Sequence, residues 1–155
     1  MIYFLDTEFN GFGGDLISLA LAPADERYEP LYLALEIVPD PQPFVVEHVL
    51  PVLHAGPVPP QLLPHRGTFG PVIAAYLASG PREMPVIVAD WPDDIRLFCQ
   101  ALTLGNGQMV RLPPIRFDLR PDLAPSPPLA NGVPHNALCD TMALRAHALA
   151  TGRSG

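Results

Sequence analysis

Met1-Ile2-Tyr3-Phe4-Leu5-Asp6-Thr7-Glu8-Phe9 is the stretch that decides the reading of the fold. It is apolar at both alternating sets of positions until the acids arrive, which is the pattern of a central strand covered on both faces. Gly11, Gly13 and Gly14 then predict a turn. Asp15 to Ala22 and Pro30 to Val38 read as two more strands, with turn-prone Pro23-Ala24-Asp25 between them, so the first third predicts an antiparallel meander.

Further along, a short helix is expected over Phe44 to Leu53 and a Pro- and Gly-rich loop over His54 to Gly67. A helix over Thr68 to Ser79 follows, stopped by Gly80-Pro81. Met84 to Ala89 is a short apolar run suited to a buried strand, and Pro92 to Thr103 reads as a helix. Leu104 to Pro134 carries seven prolines, and only Ile115 to Leu119 within it reads as a strand. The rest is expected to be ordered loop near the site, because it is long for a structureless connection. Asn136 to Thr151 is the last helix. This order predicts one α/β domain over residues 1–155, with a mixed five-stranded sheet in which three antiparallel strands precede the parallel ones.

The bulk numbers narrow the function. A chain of 155 residues that is 48% hydrophobic can bury one sizeable core. A formal charge of −7 excludes a general basic surface as the means of holding nucleic acid. It leaves room for an enzyme that grips a few nucleotides through bound divalent cations, since a carboxylate cluster makes the metal-free protein acidic. All nine basic residues are Arg, which with 21 Pro points to coding bias rather than function. Cys99 and Cys139 lie in apolar, helix-like settings and are expected to be buried reduced thiols. No signal pattern or spanning apolar run stands out, so the expectation is a cytoplasmic protein without membrane contact.

Five residues carry the chemistry. Asp6 and Glu8 leave the same face of a strand, and two carboxylates so close repel unless a cation lies between them. The same pair would also suit a strand end turning into solvent. Within Asp90-Trp91-Pro92-Asp93-Asp94, helical phase puts Asp94 with Leu97, Phe98 and Ala101 on the buried side, and Asp93 with Arg96 and Gln100. An acid aimed at an apolar face requires a partner or a metal, so Asp94 is assigned to chemistry and Asp90, the runner-up, to capping. Asp140 and His135 are five apart, about 140 degrees around a helix, so they share a target only if His135 lies outside it. Asn136 as a cap places it there, just after Pro134. His48, His54, His65 and His147 have no such company, and Asp118 reads as structural.

These segments carry a resemblance. Asp6-Thr7-Glu8-Phe9-Asn10-Gly11 resembles the first motif of the DnaQ-like DEDDh 3′-5′ exonucleases, Val88 to Arg96 the second, with Asp94 at the aspartate position, and His135 to Asp140 the third. The opening nine residues, the short length and His48-Val49-Leu50-Pro51 look most like the small bacterial exoribonucleases of the RNase AS type, which act on adenylate-rich RNA. The resemblance implies a ribonuclease H-like fold and two divalent cations, Mg²⁺ or Mn²⁺, held by Asp6, Glu8, Asp94 and Asp140. His135 would be the general base, and Phe9, Asn10 and Gly11 would form the terminal nucleotide pocket. The implied partner is the 3′ end of a single-stranded nucleic acid, RNA favoured over DNA, and the implied assembly is a homodimer. A DNA exonuclease, a ribonuclease H-like endonuclease without a histidine base, and a non-catalytic binding module are the competing expectations.

Overall fold

The computed structural model describes residues 1–124, 128–130 and 132–152. A mixed sheet of six strands forms the centre: β1 (Ile2–Phe9), β2 (Leu16–Pro23), β3 (Leu31–Leu35), β4 (Gln61–Leu63), β5 (Val86–Ala89) and β6 (Arg116–Leu119), in the spatial order β4-β3-β2-β1-β5-β6. β1 pairs antiparallel with β2, and β2 antiparallel with β3, while β1–β5, β5–β6 and β3–β4 are parallel. The meander and the central position of β1 match the expectation. The count does not: Gln61–Leu63 lies in the stretch read as a loop, yet pairs in register with Leu33 to Leu35. Three residues between prolines are too short to show an alternating pattern, and only the neighbouring strand reveals them.

Helices α1 (Phe69–Ser79) and α2 (Pro92–Ala101) cover one face, and α3 (Ala137–Ala150) covers the other. Every residue of β2 is buried, as sequence with apolar residues on both faces requires. On the first face Tyr3, Leu5, Leu19 and Leu21 meet Phe69, Ile73, Leu97 and Phe98. On the second, Phe4 and Val88 meet Leu144 and Ala148, and Ala20 and Tyr32 meet Ala137 and Leu138. The expected short helix is one π-helical turn, Val45–Val49, continued by a 3-10 turn, Leu50–Val52, that tucks Val45 and Val49 against Ile17 and Ala34. Pro51 cannot donate to a regular ladder, which accounts for the irregular winding. Among the described residues no helix is long and apolar enough to cross a membrane.

Two expectations need correction. Trp91, not Asp90, is the N-cap residue of α2, because Pro92 takes the first helical position and leaves Asp90 one residue short of the cap. Cys99 is exposed, being on the outer side of α2, whereas Cys139 is buried; both are free. The assignments at the third helix hold: Asn136 caps α3, its Oδ1 accepting from the Cys139 N–H at 3.1 Å.

Asn136 also reaches sideways. Its Nδ2 donates to the carbonyls of Val52 at 2.8 Å and Leu53 at 3.3 Å, so one fully buried amide joins the start of α3 to the end of the 45–52 segment. Asn136→Ala removes the cap on the Cys139 N–H and both links to the 45–52 segment, while the Val52 and Leu53 carbonyls keep the Ala55 N–H and the Tyr32 hydroxyl, and is expected to cost about 1–2 kcal/mol, the range of a lost cap. Urea denaturation at equilibrium measures it, as a lowered midpoint with an unchanged slope.

Candidate metal centre

β1 presents Asp6 and Glu8 on the face that α3 covers, and the cross-strand partners there are Ala20 and Ser18. Such small neighbours leave room for carboxylates and let the first turn of α3 come close. Asp140 sits in that first turn. One carboxylate oxygen from each of Asp6, Glu8 and Asp140 lies within 4.8 Å of the other two. Three of the four predicted acids therefore converge on one point.

Asp94 arrives from the opposite face. Its Oδ1 accepts from the Thr7 N–H at 3.1 Å and from the Thr7 hydroxyl at 2.6 Å, which places it at the strand residue between the two acids. It is buried as its helical phase predicts, and its charge acts on both Asp6 and Glu8. It is not among the three converging oxygens. Asp93, its neighbour, turns outward to pair with Arg96 at 2.6 Å. Asp90 is a fifth acid at the periphery, close enough to act on Asp6, Asp94 and Asp140.

The electrostatics are those of a cluster without sufficient counter-charge. Burial, then the charges of Asp94, Glu8, Asp140 and Asp90, push the Asp6 carboxyl well above the ordinary carboxylate range. Burial followed by Asp140 and Asp94 lifts Glu8 to about 8. Asp94 rises to about 7 through burial, against the lowering pull of the Thr7 hydroxyl. Asp140 is also raised, again mainly by burial, although hydrogen bonds and the nearby His135 hold it back. Asp6 Oδ2 is shut off from solvent with no hydrogen-bond partner. A buried carboxylate oxygen with nothing to bind is costly, and a cation is the group that would satisfy it. The donors are all oxygen, which suits Mg²⁺ or Mn²⁺ and not zinc.

His135 lies outside α3, as expected. Its backbone is left-handed at φ 63°, and its N–H donates to Asp140 Oδ2 at 3.0 Å. The imidazole is exposed and stands edge-on to the Phe44 ring, with centroids 5.2 Å apart. Beside it opens a cavity of about 500 Å³ lined by Glu8, Phe9, Gly11, Phe12, Phe44 and His135, with Gln42 on its wall. Phe9 and Gly11, two of the residues expected to form a terminal nucleotide pocket, line this cavity. Asn10 serves at one remove, its Nδ2 donating to the carbonyls of Pro39 at 3.4 Å and Asp40 at 3.1 Å and its Oδ1 accepting from the Gln42 N–H at 2.7 Å. A register shift between Glu8 and Phe9 bends β1 at this point.

Sequence reasoning missed Thr7, Phe12, Phe44 and His48. His48, set aside as isolated, stacks with Phe44 at 4.6 Å and lies 6.1 Å from the His135 ring, centroid to centroid. The four-residue spacing of Phe44 and His48 was the signal available, since one helical turn brings such a pair together. No model of a known protein family matches this chain, and no curated protein matches it either.

Without metal, these acids bind protons more tightly folded than unfolded. The unfolded carboxyls titrate near 4 and the folded Glu8 and Asp94 near 8 and 7, so stability falls as pH rises through that window. Melting curves in EDTA are expected to show a lower midpoint at pH 8 than at pH 5, and added Mg²⁺ to reverse the loss at pH 8. Asp6→Asn, which removes the repulsion, is expected to raise the metal-free midpoint at pH 8 by on the order of 2–4 °C.

Proposed function

We propose that this protein is a metal-dependent 3′-5′ exoribonuclease that releases nucleoside 5′-monophosphates from single-stranded RNA, in the manner of the DEDDh exonucleases that its motifs resemble. The observation that carries the reading is the convergence of Asp6, Glu8 and Asp140 within 4.8 Å, with one buried oxygen of Asp6 unpaired. Strand order around β1, with an antiparallel meander on one side and parallel strands on the other, supports a ribonuclease H-like fold. The resemblance to RNase AS-type enzymes favours adenylate-rich RNA as substrate and the cytoplasm as location.

Asp6, Glu8 and Asp140 would hold one divalent cation, and Asp94, with its Oδ2 outside the Thr7 bonds, would help hold a second. What a pair of such cations supplies is a lowered pKa for water and neutralisation of charge on the phosphodiester and the leaving 3′ oxygen. The side chains do the rest. Thr7 fixes Asp94 through two hydrogen bonds, so that carboxylate does not turn away when its neighbours repel it. The His135 ring shares the cavity with Glu8, where an imidazole is placed to take a proton from water as general base. Phe9, Phe12 and Phe44 give the cavity an aromatic lining on which a terminal base can stack without charge. Gly11, at φ 77°, makes a turn that a side chain would strain, and this turn brings backbone to the cavity wall.

Product analysis on labelled oligomers of RNA and DNA of one sequence tests the reading. With Mg²⁺ or Mn²⁺ the RNA is expected to shorten one nucleotide at a time from its 3′ end, EDTA to stop the reaction, and circular RNA to survive. Preference for DNA would move the assignment to a DNA exonuclease, and cutting of circles to an endonuclease. Asp140→Ala is expected to reduce turnover to background. His135→Asn, which keeps a residue that tolerates left-handed backbone, is expected to slow turnover about 10²- to 10⁴-fold with Mg²⁺ binding retained by calorimetry.

A further inference from the structure

Three of the chain's four tyrosines meet at one place away from the acids. Tyr3 stands near the start of β1, Tyr28 and Glu29 lie between β2 and β3, and Ser79 and Gly80 close the end of α1 beside Tyr76. Together they line a pocket of about 280 Å³. Tyr3 faces α1, the side of the sheet opposite to Asp6 and Glu8. Along β1 it is about 10 Å from Asp6, with the sheet between them.

Three sources of negative potential converge on this pocket. The first is aromatic: the Tyr3 and Tyr76 rings stand edge to face with centroids 5.8 Å apart, and Tyr28, 39% exposed, lines the pocket with them. The second is Glu29, whose charge acts on the Tyr76 hydroxyl and whose carboxylate makes no ion pair among the described residues. The third is the carbonyl end of α1, a helix of eleven residues with no basic residue in its last turn. Nearby positive groups are engaged elsewhere: the Met1 ammonium pairs with Glu83 at 3.1 Å, and Arg27 pairs with Asp25.

The pocket also holds an unsatisfied acceptor. Tyr3 is 2% exposed, yet its hydroxyl makes no hydrogen bond among the described residues. Burial, followed by Tyr28, pushes this phenol up, so it stays a neutral hydroxyl with lone pairs to offer. Glycine at position 80 keeps the oxygen open, since a Cβ there would collide with it. A buried hydroxyl without a partner costs free energy, and a ligand N–H would remove that cost.

We propose that this pocket binds a small alkylammonium ion, its N–H directed at the Tyr3 oxygen and its charge held by the tyrosine rings and Glu29. The volume is below that of a drug-sized ligand site, which selects one short alkyl chain. The inference goes beyond the nuclease reading and does not rest on it.

Amide chemical-shift mapping of the full chain, with n-butylammonium as probe and excess Mg²⁺ present to compete at the acid cluster, provides the test. The amides of Tyr28, Glu29, Ser79 and Gly80 are expected to move saturably, and uncharged 1-butanol to leave them in place. Glu29→Gln is expected to raise the dissociation constant about threefold, the loss of a partly exposed charge contact. Gly80→Ala, at a backbone φ of −75° that alanine accepts, is expected to abolish saturation by setting a methyl against the Tyr3 oxygen. Absence of a saturable shift overturns the proposal, as do shifts confined to the neighbours of Asp6 and Asp140. Binding of 1-butanol equal to that of the cation overturns it too. Glu29 is exposed, so its variant decides the matter even where Gly80→Ala unfolds: an affinity unchanged by Glu29→Gln counts against the proposal.

Discussion

Mutual repulsion among carboxylates gathered at one end of β1 is the constraint around which this structure is arranged. Three oxygens within 4.8 Å of one another, with a fourth acid behind the strand, oppose folding unless something holds them in place. The holding is done by elements that the core makes rigid. β1 is the middle strand with neighbours on both sides, and α3 is pinned at its first turn by the buried amide of Asn136. Asp94 is fastened by Thr7. Packing free energy is thus set against electrostatic strain at one point, which is where stored strain in a fold most often has a use.

The two faces of the sheet share this work unequally. The α1 and α2 face is built from large apolar side chains and supplies only Asp94 to the cluster. The α3 face is thinner near the acids, with Ala20 and Ser18 on β2 and Ala137 on α3, and all three converging oxygens lie on it. Small residues there are a condition of the site: a larger side chain at position 20 would separate α3 from β1 and Asp140 from Asp6.

Much of this was legible in the sequence because it rests on local rules. Strand alternation put Asp6 and Glu8 on one face, helical phase buried Asp94 and turned Asp93 toward Arg96, and capping chemistry set His135 outside α3. What was not legible depends on contacts between segments far apart. β4 is three residues whose identity as a strand comes from β3 alone. His48 meets His135 only because an irregular helical turn sets Phe44 between them. Trp91 displaced Asp90 from the cap because a proline claimed the first helical position, a competition that the acidic run concealed. The stretch 104–134, read as ordered loop around a strand over Ile115 to Leu119, holds that strand as β6 and adds a 3-10 turn at Pro121–Leu123 that the prolines concealed, and its positions 125–127 and 131 lie outside the described residues.

Asn10 invites one more consequence. The segment 39–42 that borders the cavity is fastened to the end of β1 through a single carboxamide, which makes contact at both of its ends. Asp40 within that segment adopts φ 42°, so the segment is bent into a shape it would relax from if released. Detachment of that amide would free the border as a unit while the six strands stayed paired, a local opening far smaller in free energy than global unfolding. The breadth of the cavity is in this sense governed by a latch of one residue, and a guest too wide for the resting shape has a route in that leaves the acids undisturbed.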